Sequence, residues 1–312
     1  YADGIPSPVE EPVFSRYDSL YRFIQRSTNT DPTMRFRTAT GMAGQLMGVL
    51  REVLALRTGT PHPAFSQVFS PQRSTFGTLY TVEPTDFLVD GEARDTTLTS
   101  AELVNALPVP LMEAGDPASR ILAATSYTSA EQRIDTLMDL YEDKDSEVRA
   151  STGVIMSLAR AYLESGDLAS AEALLDENDD KRKTEWRLAW YDGVVALLKG
   201  DPIGAYPKFQ QVLSAMPGEN GAKLALAATA ELILDVCPES DRNRWARSSE
   251  HFYRTVWSVD RSVISSAFGL ARQLQRRGEV AAAIAELDQV PPNSRYSTLA
   301  TLTTILLLCQ GR

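Results

Sequence analysis

The chain has 312 residues, of which 43% are hydrophobic, and its 31 basic and 41 acidic side chains give a formal charge of −10. This length predicts two or three domains, and the apolar content allows a sizeable core. The acidic balance argues against a nucleic-acid-binding surface and against a surface for anionic membranes.

The cysteines and the most apolar run exclude two further classes of protein. Neither Cys237 nor Cys309 lies in a CxxC or CxxH spacing, which disfavours a zinc knuckle and a disulfide scaffold. Two free thiols among apolar residues fit a reducing, cytoplasmic protein. The run "TLTTILLLCQG" is far shorter than the roughly 20 residues that a membrane span needs, and we expect no signal peptide.

Residues 1–60 predict two helices after a loop. Residues 1–16 are rich in proline and acids, as loops often are. Helices are expected at 17–27 and 38–56, with Thr38 as the N-cap of the second. The second helix carries an apolar stripe at helical spacing that we expect to be buried. The stripe comprises Met42, Leu46, Val49, Leu50 and Val53.

An extended linker is predicted over residues 61–116. Its first part is marked by three prolines, Pro61, Pro63 and Pro71. The runs "TFGTLYTV" and "TDFLVDGE" then have the character of strands, and they predict a hairpin or an extended wrapping segment with Gly91 at the turn. From residue 117 onwards the pattern is almost wholly helical, and it is broken mainly at Gly, Asp and Pro.

The helical part repeats itself with a fixed period. The segments "AYLESGDLASAEALL" and "ALLKGDPIGAYPKFQQVL" share a Gly-Asp turn, and the two glycines, Gly166 and Gly200, lie 34 residues apart. This is the period of the tetratricopeptide repeat, a helix-turn-helix unit that stacks into a solenoid. We therefore predict a mainly all-α fold, with a tetratricopeptide-repeat solenoid over residues 117–312.

Small and aromatic residues at set positions indicate how the repeat helices pack. Glycine releases the chain from a first helix, and small side chains let paired helices approach closely. The four tryptophans are interpreted as inter-helix packing residues. The positions assigned to repeat turns and packing are Gly166, Asp167, Ala171, Gly193, Gly200, Asp201, Ala205, Phe209, Pro217, Gly278 and Ala283.

Further units are predicted after the second copy. Gly278 lies 78 residues after Gly200, so a degenerate repeat is expected at about 218–258, with ten extra residues in a polar loop, "DVCPESDRNR". A final helix at 295–310 is interpreted as the first helix of an incomplete repeat. We expect its apolar side chains to pack against earlier helices or against another chain.

The sequence offers no recognisable active site. It lacks a His-Arg-Asp catalytic loop, an Asp-Phe-Gly motif, a glycine-rich phosphate loop and a GxSxG motif. Its two histidines, His62 and His251, are interpreted as structural or solvent-facing. We therefore assign no catalytic, cofactor-binding or metal-binding residue to this chain.

Stacked repeats bind protein segments along a groove lined by their first helices. We expect this groove to carry Arg187, Tyr191, Lys223, Arg261 and Arg272. An enzyme that uses an unfamiliar all-α pocket is an alternative, but the sequence shows no clustered nucleophile, base or metal ligand that would support it.

The first segment resembles the last two helices of a eukaryotic-type Ser/Thr kinase domain. In "YDSLYRFIQRSTNTDPTMRFRTATGMAGQL", Asp31, Pro32 and Arg35 match the Asp-Pro pair and arginine that precede the final helix of such domains. In that family the arginine pairs with the glutamate of an Ala-Pro-Glu motif, which this sequence lacks. Because a buried unpaired guanidinium is costly, Arg35 is expected to be exposed or to meet the rest of such a domain elsewhere.

Over its whole length the chain resembles the actinobacterial protein kinase G family. The matching stretches include "FSPQRSTFG", "VDGEARDTTLTSAELVNALPVPL", "WRLAWYDGVVALLKGD" and "FYRTVWSVDRSVISSAFGLAR". The resemblance implies that residues 1–60 are the end of a kinase C-lobe, 61–116 the linker and 117–312 the repeats.

The same resemblance implies a function. The family acts in the cytoplasm with ATP and Mg²⁺ on a small forkhead-associated-domain regulator of 2-oxoglutarate dehydrogenase, and its repeats recruit substrate and self-associate. The family's rubredoxin-like module, ATP-binding lobe and catalytic residues have no counterpart in these 312 residues. We therefore expect a carboxy-terminal portion that alone has no phosphotransfer activity. The alternative is a stand-alone tetratricopeptide-repeat adaptor, which leaves the kinase-type helices unexplained.

Overall fold

The computed structural model of the chain describes residues 4–79, 97–113, 115–125, 129–143, 148 and 151–310. Within these ranges the chain forms helices and loops, and its single bridge of β type joins Phe69 to Pro110. The mainly all-α fold class is therefore confirmed. Most of the predicted hairpin, including Gly91, lies outside the described residues, and residues 75–79 form no strand.

The helices preceding the repeats fall into an amino-terminal group and a linker group. The amino-terminal helices are α1 Pro12–Arg16, α2 Asp18–Ser27 and α3 Ala39–Thr58, with a 3₁₀ turn at Pro32–Met34 between the last two. The two predicted helices are thus present, and Thr38 caps α3 as expected, since its hydroxyl accepts from the Gly41 amide. Three helices that follow are α4 Ser100–Ala106, α5 Ser119–Thr125 and α6 Ala130–Glu142.

Four helix pairs form the repeats. They are α7 Thr152–Ser165 with α8 Leu168–Glu177, α10 Trp186–Leu198 with α11 Pro202–Ala215, α12 Asn220–Val236 with α13 Glu239–Val259, and α14 Ile264–Arg276 with α15 Val280–Leu287. The short α9 Asp179–Arg182 separates the first two pairs, and α16 Ser297–Gln310 follows the last.

The Gly-Asp turns end one helix and begin the next. Gly166, Gly200 and Gly278 have φ values of 83°, 78° and 79°, in the left-handed region where glycine carries no Cβ penalty. Asp167 and Asp201 then accept hydrogen bonds from the amides of residues 170 and 204, at 3.0 and 2.8 Å, and so cap α8 and α11.

Inside the second pair, a small residue allows a close approach of the two helices. A Cβ at Gly193 of α10 would lie 2.8 Å from the ring of Phe209 on α11, so only glycine fits there without a shift. The Phe209 ring is fully buried and meets Trp190 edge-on, at 5.2 Å between ring centroids. The other small or apolar packing positions, Ala171, Ala205, Pro217 and Ala283, are likewise buried.

The third pair differs from the prediction in its connection. The segment "DVCPESDRNR" was expected to be a polar loop, but α12 continues to Val236 and α13 begins at Glu239. Pro238 cannot continue the preceding helix, so it both ends α12 and opens the next helix. The extra residues therefore lengthen the helix pair, and α13 reaches 21 residues.

Helix α3 is also turned differently from the prediction. Of its predicted buried stripe, Met42, Leu46 and Leu50 are exposed, and Val53 is only partly covered; Val49 alone is buried. The helix instead buries a face of small and polar residues, Gln45, Gly48, Glu52 and Ala55, against the repeats. This orientation follows from a close backbone contact and an ion pair that a hydropathy pattern does not show.

The last helix packs on one side only. Ala300, Thr303 and Leu307 of α16 are buried against α15, as expected for packing on an earlier helix. Leu302, Ile305 and Leu308 on its other side are each at least half exposed. In the part of the chain that the structure describes, no helix combines the length and hydropathy needed to cross a membrane.

Candidate functional site

The inner groove, which we define as the face formed by the first helices α7, α10, α12 and α14, is largely covered by this chain's own linker. Phe69 of the linker packs between Trp186 and Trp190, at 5.0 and 4.8 Å from their ring centroids. Farther along the groove, the Phe76 amide donates to the Ser265 hydroxyl of α14 at 2.9 Å. The linker thus occupies the surface on which repeats of this type bind extended segments.

A buried charged cluster holds the linker at the fourth repeat. Arg272 donates from Nε and Nη2 to both carboxylate oxygens of Glu231 at 2.7 Å, and its Nη1 donates to the Gly77 carbonyl. The Tyr253 hydroxyl donates to Glu231 at 2.9 Å. Such bidentate pairing with a further donor is what a fully buried carboxylate requires.

The electrostatics of this cluster agree with its geometry. Burial alone would raise the pKa of Glu231, but the charge and hydrogen bonds of Arg272 hold that pKa below its ordinary value. Burial likewise works against the charged form of Arg272, whose pKa is nevertheless raised because Glu231 lies against it. Both groups are therefore ionised in the folded chain.

A second buried pair joins α3 to the third repeat. The Nζ of Lys223 on α12 lies 2.6 Å from Oε2 of Glu52 on α3, and the Ser19 hydroxyl of α2 donates to the same oxygen at 2.7 Å. Beside this pair, a Cβ at Gly48 would lie 2.4 Å from the carbonyl oxygen of Gly218. Helix α3 is thus held by a backbone contact and a buried charge pair together.

Two more of the predicted groove arginines have partners in the same chain. Arg187 pairs with Glu185 at 2.9 Å and donates from Nε to the Leu111 carbonyl of the linker at 2.9 Å. Arg261 lies over the Trp257 ring, 4.5 Å from its centroid, and 3.8 Å from the Glu286 carboxylate. With Lys223 and Arg272, they are engaged within the chain, and their role in contacting a protein partner remains a prediction.

The kinase-type motif residues lie at the surface. Asp31 caps the 3₁₀ turn that begins at Pro32, because its carboxylate accepts from the Thr33 amide at 2.9 Å. The side chain of Arg35 is exposed, and its Nε donates to the Asn29 carbonyl at 2.6 Å. Arg35 is therefore not a buried, unpaired charge.

Several cavities border the linker, and the one beside α3 differs in size from the one beside α10. The larger, of about 580 Å³, lies between α3, the linker and the α12–α13 pair. The smaller, of about 260 Å³, lies between α7, α10 and the linker, and Tyr191 is one of its walls. Burial raises the pKa of Tyr191 to about 12, so this hydroxyl stays protonated at neutral pH.

The described residues carry no cluster of metal-ligating side chains. Among them, no group of three or more His, Cys, Asp and Glu side chains is placed to hold a metal ion. His62 is half-buried in the linker, and its amide donates to the Val259 carbonyl at 3.0 Å. His251 is exposed on α13, and its ring meets that of Phe252 edge-on.

The residues that hold the linker and α3 were only partly found from the sequence. Lys223 and Arg272 were singled out, but their partners Glu52 and Glu231 were not. Glu231 offered a signal, because it is a lone carboxylate inside the apolar run "LALAATAELIL", and an isolated acid in such a run indicates a buried counter-ion.

The chain is similar to known proteins over its whole length. Residues 63–312 match the family described as protein kinase G tetratricopeptide repeat. The whole chain is 42% identical to serine/threonine-protein kinase PknG of Mycobacterium leprae, and 40% identical to serine/threonine-protein kinase PknG of Mycolicibacterium smegmatis. In both comparisons the alignment covers 100% of this chain and 40% of the relative's length. The chain belongs to the protein kinase G tetratricopeptide-repeat family.

Proposed function

We propose that this chain is the substrate-recruiting and self-associating part of a cytoplasmic Ser/Thr protein kinase. The kinase would transfer the ATP γ-phosphate, with Mg²⁺, to a Thr or Ser of a small forkhead-associated-domain regulator of 2-oxoglutarate dehydrogenase. We assign this substrate and both cofactors, ATP and Mg²⁺, from the family resemblance. In the proposed division, residues 1–60 complete the kinase C-lobe, 61–116 are the linker and 117–312 are the repeats.

The exposed apolar face of α3 carries the kinase part of this proposal. Met42, Leu46, Met47, Leu50 and Leu54 are between 37% and 50% exposed on one side of the helix. A surface helix normally buries its apolar face and exposes its polar face, and α3 does the opposite. The remainder of a kinase domain, packed on this face, would cover it.

A phosphotransfer assay tests the proposal. The purified 312-residue chain should transfer no phosphate from ATP, while the longer protein that contains it should phosphorylate a forkhead-associated-domain substrate. Leu46→Glu and Leu50→Glu in the longer protein should lower its soluble yield or its activity, because they place charges in the proposed C-lobe core. Full activity in both variants would show that α3 is not part of the kinase domain.

The size of the protein in cells separates the two readings further. An antibody against residues 140–312 should detect a band well above the 34.3 kDa of this chain. A band at the mass of the chain itself would favour the stand-alone adaptor, whose function is binding alone.

Self-association is proposed through α16. Leu302, Ile305 and Leu308 form an open apolar strip on its outer side. Sedimentation of the chain should reveal a dimer that Ile305→Glu dissociates, whereas Thr301→Glu, a matched change at an exposed position of the same helix, should leave the dimer intact. A wild-type chain that sediments as a monomer would rule out this role for α16.

A stand-alone adaptor is the second candidate, and one observation favours it. Arg35 is satisfied locally by the Asn29 carbonyl, and α2 and α3 pack directly on the repeats. In this reading the α2–α3 unit is a cap of the solenoid and needs no kinase domain. The phosphotransfer assay above discriminates between the two candidates.

A further inference from the structure

The smaller cavity of the inner groove combines an apolar wall with a charged rim. Its apolar wall is formed by Leu163, Trp190, Val194 and Leu198 of the first two repeats. Its polar rim contains Arg73 of the linker, Arg160 and Glu164 of α7, and the Tyr191 hydroxyl of α10. The linker borders this cavity but leaves it open.

Tyr191 is a polar residue in the wall of the cavity. Its side chain is only 5% exposed, and its hydroxyl makes no hydrogen bond to any residue in the ranges that the structure describes. This hydroxyl is open to the cavity, so it is free to donate a hydrogen bond to a group that enters it.

The charges around the cavity favour an anion. Glu164 is already held by two arginines, since Arg160 donates to it at 2.7 Å and Arg133 donates to its other oxygen. Arg73 donates to the carbonyls of Val104 and Leu107, and among the described residues no carboxylate lies within ion-pair distance of it. The lining therefore carries one positive charge in excess, in a chain whose formal charge is −10.

The charge of Arg160 also affects the pKa of Arg73. Burial lowers the pKa of Arg73, and the nearby charge of Arg160 lowers it further. An anion placed beside Arg73 would favour its charged form.

We propose that this cavity binds a carboxylate of a partner protein, with the aliphatic part of the same side chain against Trp190. This inference rests on the proposed role of the repeats in binding protein partners. The cavity volume, about 260 Å³, lies below the 300–1,000 Å³ typical of small-molecule sites, and suits a single side chain. One excess charge matches a monoanion better than a phosphate group, which carries about −1.5 to −2 at neutral pH.

Three short peptides test this assignment on the purified chain. They are acetyl-Ala-Leu-Glu-Leu-amide, its Gln counterpart and its phosphoserine counterpart, and binding is followed by calorimetry and by the indole N–H resonance of Trp190. The Glu peptide should saturate the site and bind about tenfold more tightly than the Gln peptide, which corresponds to about 1.4 kcal/mol. Equal affinities, tighter binding of the phosphoserine peptide, or no saturation by the Glu peptide would each overturn the assignment.

Two variants separate a binding role from a structural one. Tyr191→Phe should weaken binding of the Glu peptide several-fold without lowering the melting temperature, because the hydroxyl has no protein partner to lose. Arg160→Gln should weaken it further, while Arg242→Gln, which removes an equal charge from an exposed pair on α13, should not change it. Wild-type affinity in both cavity variants would overturn the proposal.

The proposed function can be checked independently of the cavity. If both cavity variants still capture the forkhead-associated-domain substrate as well as the wild type does, substrate recruitment by the repeats stands and the carboxylate site does not. If the wild-type chain binds the Glu peptide but does not capture that substrate, the cavity stands and the proposed substrate is wrong.

Discussion

The repeat body and the inner groove are held together by different chemistry. In the body, helix pairs meet through small and apolar residues, as where Gly193 receives the ring of Phe209. The linker in the groove and helix α3 beside the third repeat are instead fixed by buried charge pairs, Arg272 with Glu231 and Lys223 with Glu52. Apolar packing is tolerant of small rearrangements, whereas a buried ion pair fails when either partner is lost. The groove is therefore the more specific and the more fragile of the two regions.

The largest expected effect comes from breaking the groove cluster. Glu231→Leu leaves the Arg272 guanidinium buried without its carboxylate, and we expect the free energy of unfolding to fall by about 3–5 kcal/mol. Adding Arg272→Met should recover most of this loss, because two apolar side chains replace the pair. Urea denaturation of the three chains measures both effects. A double variant as unstable as the single one would show that the pair contributes net stability as well as specificity.

A smaller effect is expected where α3 meets the third repeat. Gly48→Ala places a methyl group against the Gly218 carbonyl, which should weaken the docking of α3 by about 1–3 kcal/mol. Hydrogen exchange of the α3 amides should accelerate while exchange in α10 and α11 stays unchanged. Gly44→Ala is the matched control, because its Cβ would meet nothing within 4 Å. Unchanged exchange in Gly48→Ala would mean that this contact does not position α3.

The repeat body should respond more mildly to a change at one of its turns. Asp201→Ala removes the hydrogen bond to the residue 204 amide, at a cost of about 1 kcal/mol. Asp201→Asn should lose much less, because asparagine is an equally good N-cap. Thermal melts of the two variants test this difference. Equal losses would point to the charge of Asp201 and not to its capping hydrogen bond.

The smallest expected change is in the pH dependence of stability. The pKa of Glu231 is lowered in the folded chain from an ordinary value of 4.5. The unfolded chain therefore binds this proton first as the pH falls, so the contribution of Glu231 is complete above about 4.5 and is lost as the pH falls through the lower native pKa. Urea midpoints below pH 4.5 should fall less steeply for Glu231→Gln than for the wild type. Parallel curves would assign the acid sensitivity to other carboxylates.

The contrast between the two regions also explains what the sequence could predict. Glycine spacing, Gly-Asp turns and small residues follow from local geometry, so the all-α repeat fold could be predicted from the sequence. The orientation of α3 was predicted wrongly, because it depends on Gly218 and Lys223, which lie far away in the chain. The position of the linker in the groove also depends on residues that are far apart in the sequence, such as Gly77 and Arg272.

The Glu52–Lys223 pair also has a consequence for how the protein is made. Glu52 and its partner are 171 residues apart in the sequence. At about 5–20 residues per second, the ribosome needs roughly 10–30 s to deliver Lys223 after Glu52 has been added. During that interval the face of α3 that carries Gly48 and Glu52 has no surface on which to dock. The order of synthesis thus delays the docking of α3 until the start of the third repeat has been made.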